Sequence, residues 1–281
     1  MDINNLLQEA SSILKEKNIQ TYKIDSELIL SKTIKKDLSF ILANGDFEID
    51  PREIKTYKDL ILRRKKNEPI AYILKRKEFW SIDFNLNRNV LIPRPETEFI
   101  VEEVIKKYKH RNMINILDIG TGSGCILLSL LKNLENSRGI GIDKSKKAIK
   151  IAQKNCSYLK LQTRSKFINC NIDNFRLDKY DIIVSNPPYI CSHRVKYLSR
   201  DIRDYEPIEA LDGGVDGMGT TIRIVKKSQK LLKKGGHLYI EIGEKQFNKL
   251  SNILLKSNFR IVKKVYDYSK NLRCIISTKV I

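Results

Sequence analysis

Cysteine and histidine are scarce in this sequence, whose 281 residues contain five cysteines and three histidines. The cysteines, at positions 125, 156, 170, 191 and 274, form no Cys-x-x-Cys pair, and no histidine stands at a zinc-like spacing from them. Structural zinc sites and disulfide frameworks both depend on such spacings. We therefore predict no metal site, and free thiols in a reducing cytosol.

Long apolar runs are also absent. Nowhere do about 18 apolar residues follow one another, which is the length that a membrane-spanning helix needs. Residues 1–5 lack the basic stretch followed by an apolar stretch that is typical of an export signal. We predict a cytoplasmic protein without a membrane span.

Apolar and charged residues make up 41% and 31% of the chain, which indicates a folded core rather than disorder. A length of 281 residues favours one large domain and one small one. The formal net charge of +20 would attract a polyanion or an acidic partner. A generally lysine-rich composition explains the same charge equally well, so charge alone does not identify the substrate.

The apolar periodicity divides the chain into two domains. Residues 1–80 have the spacing of short helices, and Asp50 followed by Pro51 is typical of a helix cap and first turn. Residues 67–95 are rich in proline and alternate in polarity, which favours a strand or hairpin linker over a helix. We predict a helical domain to residue 80, a hairpin linker to about residue 95, and a second domain over 96–281.

The second domain alternates apolar strands with helices, a pattern that predicts an α/β fold with a mostly parallel sheet covered on both faces. Its last two strands follow each other closely, which indicates a terminal antiparallel pair. The predicted strands cover 114–119, 139–143, 167–168, 180–185, 238–242, 259–266 and 273–277, and the predicted helices cover 125–134, 145–156 and 246–255.

A glycine-rich loop at 118–124 leaves one apolar strand and enters a helix. Glycines there permit positive φ and let a ligand approach the backbone. A dinucleotide loop reads Gly-x-Gly-x-x-Gly, whereas these glycines recur at every second position after Asp118. The Asp118 carboxylate would repel a pyrophosphate but suits the ammonium of a methionine moiety. Asp143, ending the next strand, can accept from ribose hydroxyls. These features favour S-adenosylmethionine over NAD as the ligand. They also disfavour the alternative that the loop is only a tight connection between strand and helix.

The tetrapeptide Asn-Pro-Pro-Tyr at 186–189 follows the predicted strand 180–185 directly. Two prolines remove two amide donors, so backbone carbonyls here are available to a ligand. If the Asn186 side-chain oxygen and the Pro187 carbonyl accept two N–H bonds of a planar amide or arylamine, they aim its nitrogen at the methyl group. Tyr189 can pack on the flat substrate face. A rigid corner without a catalytic role is the simpler alternative.

Five further strings, at 68–74, 78–80, 91–98, 205–207 and 210–217, complete a resemblance that covers nearly the whole chain. With the two motifs, the chain resembles the HemK-type protein-(glutamine-N5) methyltransferases that modify peptide chain release factors. The resemblance implies a small all-helical N-terminal domain that docks the release factor, and a seven-stranded, Rossmann-like methyltransferase domain. It implies methylation of the glutamine side-chain amide in a Gly-Gly-Gln tripeptide.

The resemblance also implies site residues, by position in this sequence. Relatives often carry an acidic residue in place of Asn171 and an aromatic one in place of Ile172, which leaves the detail of the adenine contacts open. Residues 94–98 either cap the next helix or act in the site, and they do not enter the catalytic set. The cofactor set is Asp118, Gly120, Thr121, Gly122, Ser123, Gly124, Asp143, Asn171, Ile172 and Asn186; the catalytic set is Asn186, Pro187 and Tyr189; the substrate-binding set is Asn186, Pro187, Pro188 and Tyr189.

Two rival functions fit some of these features. An amino-methyltransferase acting on adenine or guanine faces the same geometric problem, and the chain is basic. Such enzymes need elements that present the base, and the small helical domain has no clear groove-reading motif. A binding module with a relic cofactor pocket is disfavoured by the intact Asp118, Gly120, Asp143 and Asn186. We therefore expect release factors as partners and no stable nucleic-acid complex.

Overall fold

The computed structural model describes residues 1–111 and 113–280. Several helices begin at a capping side chain: Asp2 accepts from the Asn5 backbone N–H at 2.8 Å, and Asp50 accepts from Arg52 N–H at 2.8 Å. Asp50 followed by Pro51 starts a helix as predicted. The helices are α1 (Ile3–Lys15), α2 (Tyr22–Ile34), α3 (Leu38–Ala43), α4 (Pro51–Lys65), α5 (Ile70–Leu74), α6 (Glu98–Tyr108), α7 (Cys125–Asn133), α8 (Lys146–Tyr158), α9 (Arg200–Arg203), α10 (Gly219–Leu231) and α11 (Phe247–Lys256).

The strands form a two-stranded hairpin and one large sheet. They are β1 (Arg76–Phe79), β2 (Ile82–Asn85), β3 (Asn115–Ile119), β4 (Arg138–Asp143), β5 (Ser165–Asn169), β6 (Tyr180–Ser185), β7 (Leu232–Glu241), β8 (Phe259–Tyr266) and β9 (Leu272–Lys279).

The large sheet has seven strands in the described part of the chain, in the order β5-β4-β3-β6-β7-β9-β8. Neighbours from β5 to β7 are parallel, whereas β9 is antiparallel to both β7 and β8. The predicted α/β fold with a terminal antiparallel pair is confirmed. Chain order reverses at β3, which lies between β4 and β6, and such a switch point opens a crevice at the carboxyl ends of the strands.

Apolar side chains cover both faces of this sheet. Ile182 and Val184 of β6 pack with α6 and α7 on one face, and Ile183 packs with α10 and α11 on the other. Side chains alternate along a strand, so an unbroken apolar run such as this one serves two cores at once. The rigid double-covered sheet fixes the positions of the loops at its carboxyl edge.

The chain divides into two compact units. One comprises Met1–Arg76 with Ser199–Tyr205, and the other comprises Lys77–Leu198 with Glu206–Ile281. We predicted a boundary near residue 80, and the contacts place the division four residues earlier, between Arg76 and Lys77. We did not predict that Ser199–Tyr205 belongs to the first unit.

Two local predictions need correction. Residues 70–74 form α5 where we expected strand or hairpin, because Pro69 precedes them with the fixed φ that suits a helix start, and Ala71, Tyr72 and Ile73 are buried. We also did not identify α10. Among the described residues, no helix combines the length and apolarity needed to cross a membrane.

Candidate active site

A cavity of about 780 Å³ lies at the carboxyl edge of the large sheet. It is lined by the loop after β3, the end of β4, the turn after β5 and the tetrapeptide after β6. The carboxyl ends of parallel strands meet at one edge, so separate stretches of sequence converge here. Its volume lies in the range that binds small ligands.

The glycine-rich loop forms one wall of this cavity. The backbone N–H groups of Gly120 and Thr121 donate to the Ile142 carbonyl at 2.9 and 3.0 Å, which ties the loop to β4. Gly120 has φ 75°, and a Cβ there would meet no atom within 4 Å, so the backbone faces open space. Gly124 has φ 82°, and a Cβ would stand 3.0 Å from Leu128. The loop is a bare backbone surface that a ligand can approach closely.

Asp143 lines the cavity at the end of β4, and its contact with a ribose stays a prediction. Its Oδ2 accepts from the Gly122 N–H at 3.0 Å, and its Oδ1 accepts from the Ser145 N–H at 2.8 Å. Burial raises the pKa of this carboxyl group, while the two backbone N–H bonds act in the opposite direction. Asp143 therefore orders the glycine-rich loop as well as facing the cavity.

Asp118 lies behind the loop and is not among the residues that line the cavity. Its side chain is fully buried, and Oδ2 accepts from the Thr121 hydroxyl at 2.7 Å. Among the described residues, Oδ1 has no hydrogen-bond partner. Burial raises the pKa of Asp118 to about 7. Its contact with a methionine ammonium stays a prediction.

The turn after β5 carries the two residues that we predict to contact the adenine. Asn171 and Ile172 both line the cavity, and Ile172 is buried. The Asn171 Oδ1 accepts from the Asp173 N–H at 3.1 Å, which holds this turn in place. A flat ring could contact the Ile172 side chain here. Bare glycine backbone, a carboxylate and an apolar platform in one cavity fit an adenosyl cofactor.

The tetrapeptide brings Asn186 and Pro187 to the same cavity. Asn186 follows the end of β6, and its Nδ2 donates to the Thr97 hydroxyl at 3.0 Å. In the described chain, no donor hydrogen-bonds the Pro187 carbonyl. One amide oxygen and one backbone carbonyl are thus the acceptors available at this wall.

The other half of the tetrapeptide is packed against the chain. Pro188 lines the cavity, but its carbonyl abuts Gly213, where a Cβ would come within 2.6 Å. The Tyr189 carbonyl accepts from the Gln246 side-chain amide at 3.0 Å, and the Tyr189 ring contacts Gly243. Tyr189 is not among the cavity-lining residues, and burial raises its pKa to about 12, with the Glu241 carboxylate adding to the effect. Its packing on a substrate stays a prediction.

Two functional candidates were missed from the sequence. The buried Thr97 hydroxyl donates to the Glu241 Oε2 at 2.6 Å and so links Asn186 to a second buried carboxyl group. Glu241 ends β7 beside β6, and burial raises its pKa to about 7. A carboxylate that ends an apolar strand was a usable signal for Glu241. For Thr97 the only signal was its place in the string 91–98.

A third buried carboxyl group, that of Glu206, contacts the string 91–98. Glu206 pairs with Arg94, whose Nη2 lies 2.5 Å from Oε1, and accepts from the Ile92 N–H at 3.3 Å. Arg94 lines the cavity. Glu206 and Pro207 therefore lie at the same wall of the site as the string 91–98.

Comparisons with known proteins agree with this geometry. Residues 5–74 match a family model described as PrmC N-terminal domain, and residues 110–276 match one described as methyltransferase domain. A solved methyltransferase structure from Pyrococcus furiosus superimposes with a TM-score of 0.55, over 80% of this chain and 98% of that one. Its sequence identity of 19% supports the fold alone. The fold and the site define a Rossmann-like methyltransferase with a helical N-terminal domain.

Curated relatives identify the family. The release factor glutamine methyltransferase of Clostridium acetobutylicum is 39% identical over 99% of both chains. That of Buchnera aphidicola is 39% identical over 95% of this chain and 96% of its own. This chain belongs to the release factor glutamine methyltransferase family.

Proposed function

We propose that this protein transfers a methyl group from S-adenosylmethionine to the side-chain amide nitrogen of the glutamine in the Gly-Gly-Gln tripeptide of peptide chain release factors. The observation that carries the proposal is the pair of acceptors at one cavity wall, the Asn186 amide oxygen and the Pro187 carbonyl. Both residues line a cavity that is also lined by the glycine-rich loop and Asp143.

S-adenosylmethionine, when bound, supplies an electrophilic methyl group on a sulfonium centre. The residues that would hold it line the cavity, except Gly124 and Asp118, which lies behind the loop. Asp143 would accept from the ribose hydroxyls, and Asn171 and Ile172 would contact the adenine. The backbone of residues 120–124 would follow the methionine part, where side chains are absent or small.

The chain's own residues solve the problem of a weak nucleophile. The lone pair of an amide nitrogen is delocalised, so the nitrogen must be held in line with the methyl group. Asn186 Oδ1 and the Pro187 carbonyl would accept its two N–H bonds and stabilise the positive charge that develops on it. The methylated amide then loses one N–H proton to water. No side chain needs to act as a base before attack.

A protein substrate needs a docking surface as well as a site. The N-terminal unit contains the stretch 5–74 that matches the PrmC N-terminal domain. It exposes large apolar side chains, with Leu42 at 69% and Leu62 at 50% of full exposure. We assign the docking of the release factor to this unit, because the residues that line the cavity all belong to the other unit.

The test is methyl transfer with labelled S-adenosylmethionine. Purified protein is incubated separately with a release factor, duplex DNA and ribosomal RNA, and the labelled molecule is identified. We expect label on the release factor alone and, after proteolysis, on the glutamine of the Gly-Gly-Gln peptide.

The matched control is a release factor in which that glutamine is replaced by asparagine, which keeps the amide but shortens the side chain. We expect no label on this control. Label on DNA or RNA, or equal label on both release factors, would overturn the proposed function.

A further inference from the structure

Asn186 and Glu241 stand side by side at the carboxyl edge of the sheet. Strands β6 and β7 are parallel, with Ser185 paired to Ile240, so the next residue of each strand occupies the same level. The Asn186 side chain also favours the ionised form of the Glu241 carboxyl group. Thr97 contacts both, accepting from Asn186 Nδ2 at 3.0 Å and donating to Glu241 Oε2 at 2.6 Å.

The chemistry of these groups sets the direction of the hydrogen bonds. An ionised carboxylate can only accept, so the single Thr97 proton points to Glu241. The lone pairs of the Thr97 oxygen are then available only to a donor, and Nδ2 is the only donor of the Asn186 side chain. The Asn186 amide must therefore turn Nδ2 to Thr97 and leave Oδ1 for the cavity.

The position of Thr97 in its helix supports a special role. Thr97 is the residue before α6, where a threonine hydroxyl usually accepts from a backbone N–H of the first turn. Here it makes no side-chain capping bond. We had considered capping as one role for residues 94–98, and for the Thr97 side chain that is wrong. The hydroxyl is committed to Glu241 and Asn186 instead.

We propose that Thr97 and Glu241 are positioning residues, which hold the Asn186 amide with Oδ1 toward the substrate N–H. This inference rests on the proposed function of the same site. A reversed amide would present Nδ2 to the substrate nitrogen, donor against donor, and would neither aim the nitrogen nor stabilise its developing charge.

The direction of the hydrogen bonds depends on the charge of Glu241. Burial is the main cause that raises the pKa of Glu241 to about 7, and Glu96 adds to it. Thr97, Arg273 and Asn186 favour the ionised form. Burial raises the pKa of the Tyr189 hydroxyl and of the Cys274 thiol, and the Glu241 carboxylate adds to both effects. A protonated Glu241 can donate to the Thr97 oxygen. The Thr97 hydroxyl is then free to donate to Asn186 Oδ1, which would reverse the Asn186 amide.

The first experiment compares two variants at Thr97 by single-turnover methyl transfer to the release factor. Thr97→Val keeps the shape but removes the hydroxyl, and we expect its rate to fall by about tenfold to a hundredfold, the loss that misplacement of a reacting group causes. Thr97→Ser keeps the hydroxyl, and we expect it to retain most of the wild-type rate. Affinity for S-adenosylmethionine and the melting temperature are measured for both.

The second experiment follows the rate against pH. We expect the wild-type single-turnover rate to rise with pH through about 7, as Glu241 ionises. Glu241→Gln cannot ionise, so its profile should lack this rise. A structural contact alone would change stability without removing a limb of the pH profile.

Four outcomes decide between these possibilities. A Thr97→Val rate equal to that of wild type, or a Glu241→Gln pH profile identical to that of wild type, would overturn the positioning role. Loss of activity in Thr97→Val with rescue in Thr97→Ser supports it. If the wild-type protein methylates no release factor at all, the proposed function fails instead, so the two failures are distinct.

Discussion

The backbone N–H of Gly122 donates to Oδ2 of Asp143 at 3.0 Å, which joins the glycine-rich loop to the end of β4. The other Asp143 oxygen accepts from the Ser145 N–H at 2.8 Å, at the start of α8. One carboxylate thus shapes two cavity-lining segments, in addition to the ribose contact that we propose for it.

Asp143→Ala should weaken the binding of S-adenosylmethionine by about 1.5–3 kcal/mol, since it removes a charged acceptor from the ribose. Calorimetry on the purified variant measures this. Asp143→Asn keeps one oxygen acceptor and should lose less. Glu135→Ala removes an exposed carboxylate away from the cavity and serves as the matched control. Unchanged affinity in Asp143→Ala would mean that the ribose lies elsewhere.

Asn186→Ala should leave the fold and most cofactor affinity in place, yet lower single-turnover methyl transfer by about two to three orders of magnitude. Asn186→Asp keeps an acceptor but loses the donor to Thr97 and adds a charge beside Glu241. We therefore expect Asn186→Asp to be strongly impaired as well. A near wild-type rate for Asn186→Ala would mean that the tetrapeptide is only a rigid corner.

Leu62→Glu and Leu42→Glu should raise the KM for the release factor about tenfold, the effect of losing one good interface contact. The single-turnover rate at saturating substrate and the affinity for S-adenosylmethionine should not change. Leu255→Glu makes the same change at a side chain that is 73% exposed in the other unit, and it should leave the KM unaltered. An unchanged KM in both N-terminal variants would contradict docking through these side chains.

Asp118→Asn tests the cost of a buried carboxylate. The pKa of Asp118 rises from 3.8 to about 7, so the folded protein binds this proton more tightly than the unfolded chain does. Stability from this group is full at low pH and is lost as pH rises through about 7. The melting temperature of Asp118→Asn relative to wild type should therefore increase as the pH rises from 3.8 to about 7. Asp178→Asn, at an exposed position, is the control. A constant difference at every pH would refute this account.

Much of the fold and part of the site follow from local sequence. The bounds of β6 at Tyr180–Ser185 and of β8 at Phe259–Tyr266 are those we predicted, because an apolar run bounded by polar or turn residues is a short-range signal. The glycine-rich loop and the tetrapeptide could be identified in the same way. Their glycines and prolines restrict the backbone wherever they occur, whatever surrounds them.

Only the tertiary structure decided which side chains meet. Thr97 is 89 residues from Asn186 and 144 from Glu241, and no local pattern relates them. Their contact depends on strand order, which places β7 beside β6. No local pattern indicates that Ser199–Tyr205 belongs to the helical unit. Nor does one indicate the full burial of Asp118 behind the loop, which is set by the strands and helix around it. Sequence periodicity determines which residues face inward, whereas the packing of distant elements determines what each of them touches there.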